Sequence, residues 1–218
     1  MKKSQILAAL ILGLAGVLPS TPAFADPVLY SNGSGDVGLA YLINYGEAIT
    51  DSFTLSQNST VTGADFAAWI LTDPDTLSTV DYAITTAPLG GTTESSGTVS
   101  PVGSLTMVEG GWDYYEESFS IPNVDLSAGT YWLELQNAVE ADGGIEVAWQ
   151  VDNGPSGAFS SAYGNLNGLS TPGSNSEAFD IYGAANSATP EPSGIALLGS
   201  GLAMLAAQTR RKLRAKKQ

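Results

Sequence analysis

The side chains that could do chemistry in this chain are carboxylates and aromatic rings, and little else. The sequence has no histidine and no cysteine. All eight Lys and Arg residues stand near the ends: Lys2, Lys3, Arg210, Arg211, Lys212, Arg214, Lys216 and Lys217. Between Asp26 and Thr189 every charged side chain is therefore Asp or Glu. That stretch has no parts for a Ser–His dyad, a thiolate nucleophile, a Schiff-base lysine or a Ser–Lys pair. Zinc, which favours His and Cys ligands, is poorly served. Acid–base work would fall to paired carboxyl groups, the equipment of a glycosidase, with Glu116, Glu117, Glu134 and Glu146 as candidates. Glu116 and Glu117 are adjacent, so on a strand they point to opposite faces and form no facing pair. A solvated strand surface is the role expected of them, and the chain is not expected to be an enzyme.

Two binding chemistries suit the composition better. Neutral sugars are held by aromatic platforms beside carboxylates and amides. Trp112, Tyr114 and Tyr115 follow a Gly-Gly turn, and Trp132 alternates with Tyr131 so that the two face opposite ways. These four are the candidate glycan-binding residues, although Tyr and Trp also serve as packing residues. Calcium is the cofactor that oxygen-rich turns between strands could hold. Asp73 and Asp75 flank a proline turn, Asp142 opens a Gly-Gly turn, and Asp152 opens another with Asn153. The same residue types bond the local backbone in turns without any metal. A formal net charge of −14, with its bases confined to the ends, repels phosphate backbones. Nucleic acid is therefore not an expected partner. Without cysteines, disulfides contribute nothing to stability.

The elements that must position these groups read as strands. Val80, Tyr82 and Ile84 alternate with Asp81, Ala83 and Thr85; Tyr131, Leu133 and Leu135 alternate with Trp132, Glu134 and Gln136. Ile145, Val147, Trp149 and Val151 continue the pattern, with Trp149 expected in the core. Weaker alternation covers Val37–Tyr45, Ile49–Leu55, Asp65–Leu71, Tyr115–Ile121 and Glu177–Tyr182. Turn signals separate them, among them Gly90-Gly91, Gly110-Gly111, Ala128-Gly129 and Asn153-Gly154-Pro155. Eight to ten short strands of this kind predict an all-β fold, an antiparallel β-sandwich of jelly-roll size. A long loop is expected over the Gly-, Ser- and Asn-rich residues 155–175. The expected organisation is a leader over 1–25, the sandwich over 26–183, a linker over 184–189 and a tail over 190–218.

The leader has the three parts of a secretory signal peptide. Met1-Lys2-Lys3 is basic, Ile6 to Leu18 is apolar, and Ala23-Phe24-Ala25 offers Ala23 and Ala25 to a signal peptidase that would cut before Asp26. The tail runs in a different order. Pro190-Glu191-Pro192 is stiff and non-helical, an apolar helix follows over about 194–208, and a basic cluster over 210–217 includes Arg210, Arg211 and Lys212. By the positive-inside rule this cluster stays cytoplasmic and the residues before Pro190 lie outside. About 15 apolar residues span near 23 Å, short of a hydrocarbon core of about 30 Å, which suits a transient anchor better than a permanent one.

Pro-Glu-Pro, then an apolar helix, then an Arg-rich end resembles the PEP-CTERM sorting signal of Gram-negative bacteria that make extracellular polysaccharide. The resemblance implies processing by an exosortase-like membrane enzyme, with transient membrane anchorage through the C-terminal helix. It implies export across the inner membrane and delivery to the cell surface or extracellular space. Gly129–Leu135, Ala148–Asp152 and Ser176–Gly183 also resemble the passenger domains of many PEP-CTERM proteins, secreted β-sandwiches without an assigned activity. The expectation is a structural or adhesive protein of an exopolysaccharide or biofilm matrix, with extracellular polysaccharide as a partner. A carbohydrate-binding module is the alternative, and a carboxylate-only glycosidase the remaining one.

Overall fold

A computed structural model describes residues 26–35, 38–71, 76–141, 143, 146–162, 165–168 and 176–186. Ala23 and Ala25, the turn acids Asp73, Asp75 and Asp142, and the tail with Pro190, Glu191, Pro192, Arg210, Arg211 and Lys212 lie outside the described residues. Within them the chain is all-β, with fourteen strands in two antiparallel sheets that together make a β-sandwich. In chain order these are β1 (Val28–Ser31), β2 (Ala40–Leu42), β3 (Glu47–Leu55), β4 (Ser59–Leu71), β5 (Leu77–Ala87), β6 (Gly90–Val99) and β7 (Val102–Glu109). They continue as β8 (Trp112–Leu126), β9 (Gly129–Glu140), β10 (Val147–Asp152), β11 (Ala158–Ala162), β12 (Asn165–Gly168), β13 (Ser176–Glu177) and β14 (Phe179–Ala185).

The eight-stranded sheet is built on β4. Along one edge β4 pairs with β8, which pairs in turn with β7; along the other it pairs with β14 and then β10. Strand β1 extends the sheet from β14, while β2 and β13 extend it from β10. The second sheet has the order β12-β11-β3-β9-β5-β6. Gly63 lets β8 approach β4 closely, since a β-carbon there would stand 2.6 Å from the Phe119 carbonyl oxygen. Among the described residues no helix is long and apolar enough to cross a membrane.

Period-two alternation directs one side of each strand inward. Val80, Tyr82 and Ile84 are buried, as are Leu133, Leu135, Val147 and Trp149. Burying an aliphatic or aromatic side chain of this kind stabilises by about 1.5–3 kcal/mol. Trp149 is fully enclosed; its ring meets Phe66 at 6.1 Å and Phe179 at 5.6 Å between centroids. Its indole N–H donates to the Ala178 carbonyl at 2.8 Å, so the one polar atom of this core residue is satisfied.

Two sequence expectations are corrected. Strands number fourteen against the eight to ten expected, the excess being short ones: β1, β2, β13 and, within the stretch expected as one long loop, the paired β11 and β12. Strand β11 is held by backbone pairing to β3, from Ala158 opposite Asp51 to Ala162 opposite Glu47. That bonding needs no apolar alternation to form, so Gly- and Ser-rich composition conceals it. The Gly90-Gly91 signal is also displaced: Pro88 and Leu89 form the turn, with Leu89 at φ 49°, and Gly90 already pairs with Ala87.

Candidate functional site

Strands β4 and β8 run side by side in a register that sets Trp69 opposite Tyr114, Leu71 opposite Trp112, Ala67 opposite Glu116 and Asp65 opposite Ser118. Phe66, Ala68 and Ile70 of β4 and Tyr115 and Phe119 of β8 belong to the core. Alternation therefore places Asp65, Trp69, Trp112, Tyr114 and Glu116 on the outer face of the eight-stranded sheet. The β7–β8 connection makes this possible. Gly110 and Gly111 both have positive φ, 63° and 90°, in a two-residue hairpin turn that delivers Trp112 directly into β8.

Three rings form one aromatic row on this face. Trp69 lies 4.9 Å from Tyr114 at 61° and 5.9 Å from Trp112 at 54°, centroid to centroid. The indole N–H of Trp69 has no hydrogen-bond partner among the described residues. Acidic groups continue the face. Asp180 and Tyr182 of β14 alternate with the core residues Phe179 and Ile181. The Tyr182 hydroxyl donates to Asp65 Oδ2, and the Asp180 N–H donates to Asp65 Oδ1 at 3.0 Å. Burial raises the Asp65 carboxyl above its ordinary range; the Tyr182 bond works against that shift and the charge of Asp180 adds to it. Glu116 is raised by burial and by the charges of Asp65 and Asp180. Aromatic faces beside carboxylates can stack on a sugar ring and accept from its hydroxyls.

The four aromatics singled out in the sequence are only partly brought together. Trp112 and Tyr114 share the row. Tyr115 does not: it is part of the hydrophobic core. Trp132 stands on β9 between Leu133 of the core and Tyr131, which packs against that core, hence on the outer face of the other sheet, with Glu134 beside it in the same parity. Trp69, which completes the row, was not singled out. Its strand shows in the Asp65–Leu71 alternation, but its register against Tyr114 cannot be read from a linear pattern.

The acids divide similarly. Glu116 faces outward, whereas Glu117, expected on a solvated surface, is 0% exposed on the inner side of β8. Both of its carboxyl oxygens lack hydrogen-bond partners, and burial pushes its pKa up to about 7. Glu134 is on the opposite sheet, raised by burial. Glu146 precedes β10, where its N–H donates to Glu140 Oε1 at 2.9 Å. The four glycosidase candidates thus do not converge on one cleft wall. Of the calcium candidates, Asp152 is described, and its Oδ1 accepts the N–H of Asn153, the local turn role of an aspartate. Among the described residues no three His, Cys, Asp or Glu side chains gather in a way that could hold a metal.

No protein-family model matches this chain, and no curated protein matches it. The functional reading therefore rests on its own residues.

Proposed function

We propose that the protein is an exported structural or adhesive component of an extracellular polysaccharide matrix, sorted through its PEP-CTERM-like tail. Its molecular means is the binding of neutral glycan on the outer face of the eight-stranded sheet. The observation that carries this reading is the pair of partly exposed indoles Trp112 and Trp69, backed by Tyr114, on the same face as the half-buried Glu116 and Asp180. Trp69 and Trp112 are the partly exposed rings that would meet a sugar, and Tyr114, 8% exposed, packs behind Trp69. The absence of Lys, Arg and His between Asp26 and Thr189 favours a neutral glycan over an anionic one.

The test is retention of the full chain, in mild detergent, on neutral extracellular polysaccharide. Saturable binding is expected, weakened at least tenfold by Trp112→Ala, a loss of about 1.4 kcal/mol. Trp132→Ala, on the other sheet, should leave it unchanged. Equal losses in both variants would overturn the assignment to this face. The sorting half of the reading is tested separately. Replacing Pro190-Glu191-Pro192 with three alanines should abolish release of a shortened passenger, and unchanged release would remove the motif from the account.

A further inference from the structure

One end of the sandwich holds a buried polar pocket unrelated to the aromatic row. On β3, Ile49, Phe53 and Leu55 point into the core, and Asp51 shares their parity. Asp51 and Glu177 are both 0% exposed, and Asn32 and Ser176 are 2% exposed. The loop after β1 brings in Asn32, the loop after β10 brings in Ser156, and β13 supplies Ser176 and Glu177. Gly154 seats the second loop so tightly that a β-carbon there would collide with Asn32 Oδ1.

Two features of this pocket suit a bound cation. The first is crowding around one atom. Asn32 Nδ2 has Ser156 Oγ at 2.6 Å, the Glu177 carbonyl oxygen at 2.6 Å, Asp51 Oδ2 at 3.2 Å and Ser176 Oγ closer still. The two serine oxygens are themselves 2.6 Å apart. An amide nitrogen has two protons to donate, so it cannot satisfy four oxygens. The second is Glu177. Its main chain is tied to the pocket, its N–H donating to Asp51 Oδ2 at 2.6 Å. Its carboxyl is fully enclosed, feels the negative charge of Asp51, and has no hydrogen-bond partner on either oxygen among the described residues. Two buried carboxylates need compensating charge. No side chain between Asp26 and Thr189 can supply it, because that stretch contains no Lys, Arg or His.

We propose that Asp51 and Glu177, with Ser156, Ser176, the Glu177 carbonyl and the Asn32 amide turned over so that Oδ1 replaces Nδ2 in the pocket and Nδ2 meets the Tyr30 hydroxyl, form a buried calcium site joining the two sheets. Carboxylate, amide, hydroxyl and carbonyl oxygens are the ligands a hard cation takes, and two carboxylates balance a divalent charge. The pocket does not use Asp152, the one turn acid among the described residues. It bridges β3 of the six-stranded sheet to β13 of the eight-stranded one, so an ion there would clamp the sandwich at this end.

The test uses the full chain in mild detergent, stripped with chelator and titrated with calcium at matched ionic strength. Bound calcium is measured directly and thermal melting is followed in parallel. We expect wild type to bind calcium and its melting temperature to rise by several degrees. Glu177→Gln should bind one calcium fewer per chain and lose most of that rise. Because Asp51→Asn removes an acceptor of several hydrogen bonds and is liable to fail in folding, Glu177→Gln is the deciding variant. Without calcium it should melt no lower than stripped wild type, since it removes an unpaired charge. Glu94→Gln, exposed on β6, should match wild type. Undiminished calcium stoichiometry in Glu177→Gln, or melting of wild type indifferent to calcium, would overturn the proposal and leave protons as the neutralising species.

Discussion

Glu117 and Glu177 are two glutamates buried to the same degree in opposite surroundings. Each is 0% exposed, and each has two carboxyl oxygens without a hydrogen-bond partner. Glu117 lies on β8 between Tyr115 and Phe119, opposite Phe66 on β4 and Gly103 on β7. Gly103 approaches so closely that a β-carbon would meet the carboxylate. Burial alone raises its pKa, and no charged neighbour contributes. Glu177 instead has its main chain bonded to Asp51 and Asn32, and the charge of Asp51 adds to the burial of its carboxyl. The difference separates two ways of tolerating a buried acid. A carboxyl in an apolar wall can be neutralised by a proton, whereas one in an oxygen-rich pocket beside a second carboxylate is placed to share a cation.

The most severe way to break this contrast is Asp51→Ala. Asp51 accepts from Ser156 at 2.8 Å, from the N–H groups of Glu177 and Ser52 at 2.6 Å, and from Asn32 at 3.2 Å. Its pKa is raised to about 6, mainly by burial, with these donors opposing the shift. Removing the acceptor strands several buried donors at once, each costing about 1–3 kcal/mol. The expected loss is on the order of 3–5 kcal/mol by urea denaturation at neutral pH. A loss below about 1 kcal/mol would mean that the pocket is not a structural junction.

Both environments leave a trace in the sequence. In Ile49-Thr50-Asp51-Ser52-Phe53-Thr54-Leu55, Asp51 occupies the parity of the apolar residues. Glu117 does so between Tyr115 and Phe119, and Glu177 before Phe179 and Ile181. An acid at an inward position of an alternating strand is the signal that distinguishes these residues from Glu116 or Asp180. Reading Glu116 and Glu117 together as surface missed it. The sandwich itself was legible because Val80–Tyr82–Ile84 and Leu133–Leu135 repeat with period two. The aromatic row and the Asp51 pocket were not, since both depend on register. Trp69 meets Tyr114, and Ser176 reaches Asn32, only after strands distant in sequence have paired. Strand β11 was hidden for another reason, being specified by main-chain bonds to β3 rather than by its side chains.

A finer test of the contrast is the pH dependence of Glu117→Gln. The Glu117 pKa stands at about 7 in the folded chain against an ordinary 4.5. Below about pH 4.5 the group is protonated whether the chain is folded or not, so its burial has little electrostatic cost. As pH rises from there toward 7, the unfolded chain releases the proton while the folded chain keeps it, and wild type loses stability. Above about 7 the penalty is complete. Glutamine keeps the shape and never ionises, so the variant should equal wild type near pH 4 and exceed it near pH 8, by on the order of 2 kcal/mol. Asp51, Glu116, Glu134 and Glu177 also titrate above their ordinary values, but they are common to both proteins and cancel in the difference. Calcium sharpens the comparison further. An ion held at Asp51 and Glu177 keeps those groups ionised and flattens the pH slope they contribute, while the Glu117 difference, arising in an apolar wall with no ligand partners, should be the same with calcium and with chelator. A calcium-dependent Glu117 difference would show that the two buried acids belong to one coupled system rather than two.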